Sequence, residues 1–246
     1  GNAPFAIYCG KWDYRKMKNR KDGWWDAVKA SDQKVCSGIN VVKMRYPHVL
    51  LMYAEVMNEL YGSYNTGGEY CSKTAFEALS EIHTRAFNGD KAAAEAHLTK
   101  LINEQGFFET IVDENAWELA GEGVRKFDLI RWNLLSAKID EFKESYRNAV
   151  NNGSYPAKIY YKFKEDNFTI DVTTFNYNEP VEAGYFSANF FGRETTDAKQ
   201  EQLLVNLPSI SAGLNRVVKN RYLLPIASTT ISTSNGKLHN SYGYSD

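Results

Sequence analysis

Between Tyr46 and about Val150, apolar side chains recur at helical spacing in short runs separated by turn signals. A stretch patterned this way buries its apolar surface by packing helices on one another, so it reads as a helical array. The first run opens at Tyr46-Pro47, where proline suits an early helical position. It aligns Val49, Met52, Tyr53, Val56, Met57 and Leu60 on one stripe and should stop near Gly62. Ser72 is the candidate N-cap of a second helix with Phe76, Leu79, Ile82 and Ala86 inward, closed by Asn88-Gly89. Asp90 caps a third, which turns Ala94, Leu98, Leu101 and Ile102 inward. A fourth, from about Glu109 to Glu122, buries Val112, Ala116, Leu119 and Ala120. A fifth begins near Gly123 and buries Val124, Phe127, Ile130 and Leu134; Ile139, Phe142, Tyr146 and Val150 extend the pattern. Such helix pairs resemble tetratricopeptide units, although no clean repeat of about 34 residues is present.

Past Gly153 the character changes. Lys158–Phe163 and Phe168–Val172 are β-branched and aromatic, with Glu165-Asp166-Asn167 between them, and read as a hairpin. From Tyr177 to Ser211, glycine, asparagine and aromatics follow no period and predict long irregular loops. The tail from Arg221 should run as turns around one short apolar segment, Tyr222-Leu223-Leu224. The expected organisation is a single unit spanning 1–246: a loop-rich opening (1–43), a helix array (44–150) and an irregular region with hairpin and tail (151–246). The fold class is mainly α with little β structure.

Charge and composition narrow the function. Lysine and arginine total 29 against 30 acidic residues, so no large positive field exists to attract nucleic acid. Aromatic content reaches 14%, with 16 Tyr, 13 Phe and 5 Trp, which leaves rings to spare for a surface. Between Gly10 and Ala30, a stretch without helical periodicity, Trp12, Tyr14, Trp24 and Trp25 stand beside Lys11, Arg15, Asp22 and Asp26. Aromatic faces with polar neighbours suit sugars, because pyranose C–H groups pack on the ring while the polar groups satisfy hydroxyls. These four residues are the candidate ligand-binding positions; capping of the helix array by the same rings is the competing reading. The basic run Arg15–Lys21 reads as a solvated loop.

No chemistry-bearing motif emerges. Glu118 and Glu122 stand one helical turn apart, where two carboxylates rarely enclose a substrate as a glycosidase pair must. With Arg125 and Asp128 they suggest an acid–base ladder along one helix face. The histidines His48, His83, His97 and His239 form no HExxH and no close pair, and read as helix-face or surface residues. Cys9, Cys36 and Cys71 include no CxxC and read as buried thiols, so neither a catalytic residue, a metal site nor a cofactor is expected. Gly121-Glu122-Gly123 only superficially matches a dinucleotide fingerprint, and no GxSxG elbow occurs. No stretch approaches the roughly 18 apolar residues of a membrane span, so membrane attachment would need a lipid anchor upstream of Gly1.

Four ordered segments carry a family resemblance. Met44-Arg45-Tyr46-Pro47-His48-Val49-Leu50-Leu51-Met52-Tyr53-Ala54-Glu55-Val56-Met57-Asn58-Glu59 opens it, and Glu81-Ile82-His83-Thr84-Arg85-Ala86 follows. Glu118-Leu119-Ala120-Gly121-Glu122-Gly123-Val124-Arg125-Lys126-Phe127-Asp128-Leu129-Ile130-Arg131-Trp132 is the third. The closing segments Tyr222–Ile226 and Asn235–Tyr244 complete the set. Together they resemble the C-terminal portion of the SusD/RagB family. Departures are His83, where the family pattern has an arginine, Asn115 in place of another arginine, and Gly121 at an aromatic position. The resemblance implies a SusD-like fold of tetratricopeptide-like helix pairs with an irregular C-terminal region. It implies a non-catalytic, glycan-binding lipoprotein of the outer-membrane surface in Bacteroidetes, which captures polysaccharide or oligosaccharide for uptake through a SusC-like TonB-dependent transporter. It also implies a sugar-stacking aromatic in a loop before the first helix, without fixing which residue. The alternative is a helical-repeat scaffold that binds only protein partners or a peptide nutrient.

Overall fold

The computed structural model describes residues 11, 41–68, 71–152, 158–167, 169–189, 204–205, 207–209, 222–241 and 244–245 of the 246-residue chain. Among these the protein is mainly helical, with little strand. By contacts it divides into two compact units, one ending at Asp128 and the other beginning at Leu129.

The first unit is the helix array. Helix α1 (Tyr46–Tyr61) starts on Arg45 in extended conformation with Pro47 in its first turn, and ends on Gly62 in the left-handed region at φ 62°. Helix α2 (Ala75–Ala86) carries a complete capping box, in which the Thr74 side chain accepts from Glu77 N–H while the Glu77 carboxylate accepts from Thr74 N–H. The cap is thus Thr74 and not Ser72: only Thr74 has a glutamate three residues on. Asp90 caps α3 (Lys91–Gln105) through Ala93 N–H, as its position suggests. Gly106, at φ 93°, closes α3 and opens α4 (Phe107–Glu118). Packing follows chain order, α1 on α2, α2 on α3 and α3 on α4, with α4 also meeting α1 and α2.

Small residues set the helix faces. Ala54, Ala75, Ala78 and Ala94 are fully buried beside Leu79, Leu98, Ile111 and Val112. Each large aliphatic side chain hidden in this way contributes about 1.5–3 kcal/mol. In α1 the core takes Leu50, Leu51, Ala54 and Met57, whereas Val49, Val56 and Leu60 of the expected stripe are exposed. The two sets lie on faces roughly a third of a turn apart at 100° per residue. Both faces are apolar, so period alone does not choose between them; the face bearing Ala54 permits the closer helix approach. Likewise Ala86 and Ala120 are exposed.

Helix α4 stops at Glu118, earlier than expected, because Gly121 and Gly123 both take φ 77°. A Cβ at Gly123 would meet open space, so the backbone angle and not crowding calls for glycine there. Helix α5 (Arg125–Arg131) follows, and the boundary between the units falls within it. It buries Asp128 and Leu129 and leaves Phe127 69% exposed, reversing the inward position expected for that ring.

The second unit holds α6 (Leu135–Asn151), whose Tyr146 forms a small buried cluster with Leu207 of a 3-10 turn (Leu207–Ser209), flanked by Val150 and Leu204. Phe142, expected inward, is exposed. The hairpin forms: β1 (Lys158–Phe163) pairs antiparallel with β2 (Ile170–Asn176), Phe163 opposite Ile170. A third strand, β3 (Phe186–Asn189), pairs antiparallel with the other edge of β1, giving the order β2-β1-β3. It lies within the stretch expected to be irregular loop; four residues are too short to show a period. A six-residue helix, α7 (Ser228–Thr233), interrupts the tail expected to be turns. Among the described residues no helix is long and apolar enough to cross a membrane.

Candidate functional site

The most heavily charged feature of the first unit centres on Arg45. Extended backbone ahead of α1 lets its guanidinium reach the end of α4 and the turn beyond. Nε donates to Glu122 Oε2 at 2.8 Å and Nη2 to Glu122 Oε1 at 2.6 Å, a two-pronged carboxylate grip. Nη2 also donates to the Glu118 carbonyl oxygen at 2.6 Å, and Nη1 to the Glu118 carboxylate. Arg85 of α2 adds a second cation to Glu118, and Lys11 donates to Glu122 Oε1 at 2.7 Å. Hydrogen bonding from Arg45 therefore outweighs burial and holds the Glu122 carboxyl down at about 2. Burial opposes charge on Glu118, but the hydrogen bonds from Arg85 and Arg45 prevail and hold it below the usual carboxylate range.

This replaces the ladder read from the sequence. The turn at Gly121–Gly123 takes Glu122 off the helix, so Glu118 and Glu122 converge on Arg45 across space. Arg125 instead donates to the Val112 carbonyl at 2.7 Å and to Asn115 Oδ1 at 3.1 Å, while Asn115 Nδ2 donates to Asp128 Oδ2 at 2.9 Å. Both ends of the buried Asn115 amide are thereby satisfied. His48 lies 3.3 Å from the same Asp128 oxygen. Two networks, one at each side of the Gly121–Gly123 turn, take the place of one helical stripe.

A third cluster was not legible as such in the sequence. His83, expected on a helix face or surface, is buried on α2, and its Nδ1 lies 2.7 Å from Oε2 of the buried Glu114 on α4. Its Nε2 lies 2.9 Å from Nδ1 of His97 on α3, an exposed residue. The two imidazoles are parallel to within 2°, with Phe87 and Trp117 against His83. Histidines 14 positions apart in sequence are thus a close pair in space, because α2 and α3 pack side by side.

Trp12, Tyr14, Trp24 and Trp25, the candidate ligand-binding residues, lie outside the described residues, as does the Arg15–Lys21 run. Among the described residues the exposed rings are Tyr46, Tyr61, Trp117, Phe127 and Phe142 on helices and Phe175, Tyr177 and Phe186 on or beside strands. The densest group is on the sheet: Phe163 and Phe186 meet edge-on at 4.9 Å and Tyr161 stacks on Phe186 at 6.2 Å, with Phe186 54% exposed. On the neighbouring position Lys162 sits over the Tyr185 ring at 4.5 Å and pairs with Glu182 at 3.3 Å. The β-branched and aromatic run Lys158–Phe163 signals two of these rings; Phe186 carries no periodic signal of its own. Between α2 and the start of α3, a polar groove of about 490 Å³ is lined by Ser72, Lys73, Glu77, Ser80, Glu81, Thr84 and Lys91. Among the described residues no three His, Cys, Asp or Glu side chains converge as a metal cage, and the free Cys71 is half-buried and not fully buried as a structural thiol would be.

Comparison with known proteins places these features in context. The model of the SusD family matches residues 9–244. The SusD-like protein P25 of Formosa agariphila is 33% identical over 144 residues, which covers 52% of this chain and 25% of that protein. The chain therefore spans about a quarter of the length of this relative. No solved structure matches.

Proposed function

Starting from the fact that this chain belongs to the SusD family, we propose that it is part of a non-catalytic protein that captures a glycan at the outer-membrane surface and passes it to a SusC-like TonB-dependent transporter. The observation that carries this reading is the family match over nearly the whole chain, 9–244. The Arg45 node supports the non-catalytic part. A glycosidase acid needs a carboxyl kept protonated near neutrality, and here both members of the one conspicuous glutamate pair are pinned in the charged state by Arg45, Arg85 and Lys11. Trp24 and Trp25, with Trp12 and Tyr14, are the proposed stacking platform, and a lipid anchor is the proposed membrane attachment. Ring stacking with a few hydrogen bonds yields modest affinity per site, which a polymer raises by engaging several sites at once.

The exposed apolar stripe on α1, formed by Tyr46, Val49, Val56 and Leu60, favours a protein contact as well. It fits the proposed transporter partner, and it equally fits a scaffold that binds only proteins. A glycan array probed with the purified chain separates the two: retention of one class of oligosaccharide, with no new reducing ends after long incubation, supports capture. Release of reducing ends that disappears in Glu122→Gln would establish hydrolysis. Absence of any sugar binding, with an intact fold by circular dichroism, would favour the scaffold.

A further inference from the structure

Around His83 the side chains are arranged as they are around a ligating imidazole. A histidine that binds a metal through Nε2 commonly donates its Nδ1–H to a carboxylate, which fixes the tautomer and ring orientation and raises the basicity of the ligating nitrogen. Glu114 occupies that place, 2.7 Å from Nδ1, with both side chains about 4% exposed. Nε2 then carries the lone pair, and it faces a second imidazole nitrogen, Nδ1 of His97, only 2.9 Å away. A single proton lies between the two nitrogens in this arrangement. A cation in place of that proton would be held by His83 Nε2 and His97 Nδ1, with the ring proton of His97 moved through solvent from its Nδ1 to its own Nε2.

We propose that His83 and His97 form a two-histidine chelate for a borderline divalent transition-metal ion of the Zn²⁺ or Cu²⁺ class, with Glu114 as the positioning carboxylate and water in the remaining coordination positions. Imidazole nitrogens select such ions over Mg²⁺ or Ca²⁺, which prefer oxygen donors. Metal–nitrogen distances of about 2.0–2.1 Å require the two lone pairs to converge instead of pointing at each other. The buried His83 is held by Glu114, Phe87 and Trp117. His97, packed against Phe87 but open to solvent, is the ring that would turn, and its exposure gives the ion an entry path and its waters.

The test is calorimetric titration of the chelator-treated chain with Zn²⁺ alone, beside His97→Ala, His97→Gln and Glu114→Gln. One equivalent should bind, raise the melting temperature, and lose at least about tenfold in affinity in either His97 variant; Glu114→Gln should weaken it by about 10- to 100-fold. His97 is on the surface, so its variants keep the proposal decidable if Glu114→Gln does not fold. With Cu²⁺ in place of Zn²⁺, electron paramagnetic resonance should show two imidazole nitrogens on the ion. Zn²⁺ affinity unchanged in both His97 variants, no binding at all, or a copper spectrum without paired nitrogen couplings would overturn the assignment.

Discussion

The helix array and the sheet differ in how fully they enclose their side chains. In the array, Leu79, Leu98, Ile111 and Val112 are sealed, and buried polar groups such as Asn115, Glu114 and His83 each find a partner. In the sheet no strand residue whose burial is described is fully buried, and the rings of Tyr161, Phe163 and Phe186 pack on one another while Phe186 stays half open. Stability in this protein is concentrated where small residues let helices close together. Aromatic surface is left where a short three-stranded sheet cannot cover itself. An array of this kind tolerates change at its surface far better than in its interior, and a surface of rings tolerates change without unfolding.

The comparison breaks first at the array core. Ile111→Ala should lower the unfolding free energy by about 2–5 kcal/mol in chemical denaturation, because its site is fully enclosed. A loss below about 1 kcal/mol would mean that the core is looser than its burial implies.

Arg45→Ala comes next and tests the charged tie among α1, α2 and the end of α4. Removing the cation that grips Glu122 should cost about 2–3 kcal/mol near neutral pH, because both carboxylates are mostly buried. The sign with pH follows from the depressed Glu122 carboxyl. Its stabilising share is present above the ordinary value of 4.5 and is lost as pH falls through 4.5 toward about 2. Denaturation midpoints measured from pH 7 to 2 should therefore fall steeply in the wild type over that window and more gently in Arg45→Ala. Parallel curves would show that Arg45 is not what holds the proton off.

Ligand contact is set apart from both regions by the next pair. If a glycan binds, Trp24→Ala and Trp25→Ala should each weaken it by roughly 1–3 kcal/mol with little change in melting temperature, the size expected for a lost stacking platform. Unaltered affinity in the double variant would remove that segment from consideration and direct attention to the sheet rings. The smallest effect belongs to Phe186→Ala, which should cost less than about 1 kcal/mol of stability because the ring is half exposed. A cost like that of Ile111→Ala would show the sheet cluster to be core, and the contrast between the regions would disappear.

Much of this was written in the sequence. Pro47, Gly62, Asp90 and the Asn88-Gly89 turn mark helix ends through local backbone chemistry, and they mark them correctly. The β-branched and aromatic runs and the Glu165–Asn167 turn likewise specify the hairpin, and the ordered motifs specify the family. Which face of α1 turns inward was decided only by packing, since both faces are apolar and the small Ala54 matters only once α2 approaches. Tertiary structure alone likewise moved Glu122 from a helical ladder to Arg45, through two left-handed glycines whose φ values no spacing rule supplies. It also joined His83 to Glu114 and His97 from three different helices. Local signals travel along the chain within a turn or two, whereas a charge finds its partner by proximity in space, and that proximity exists only after the helices have packed.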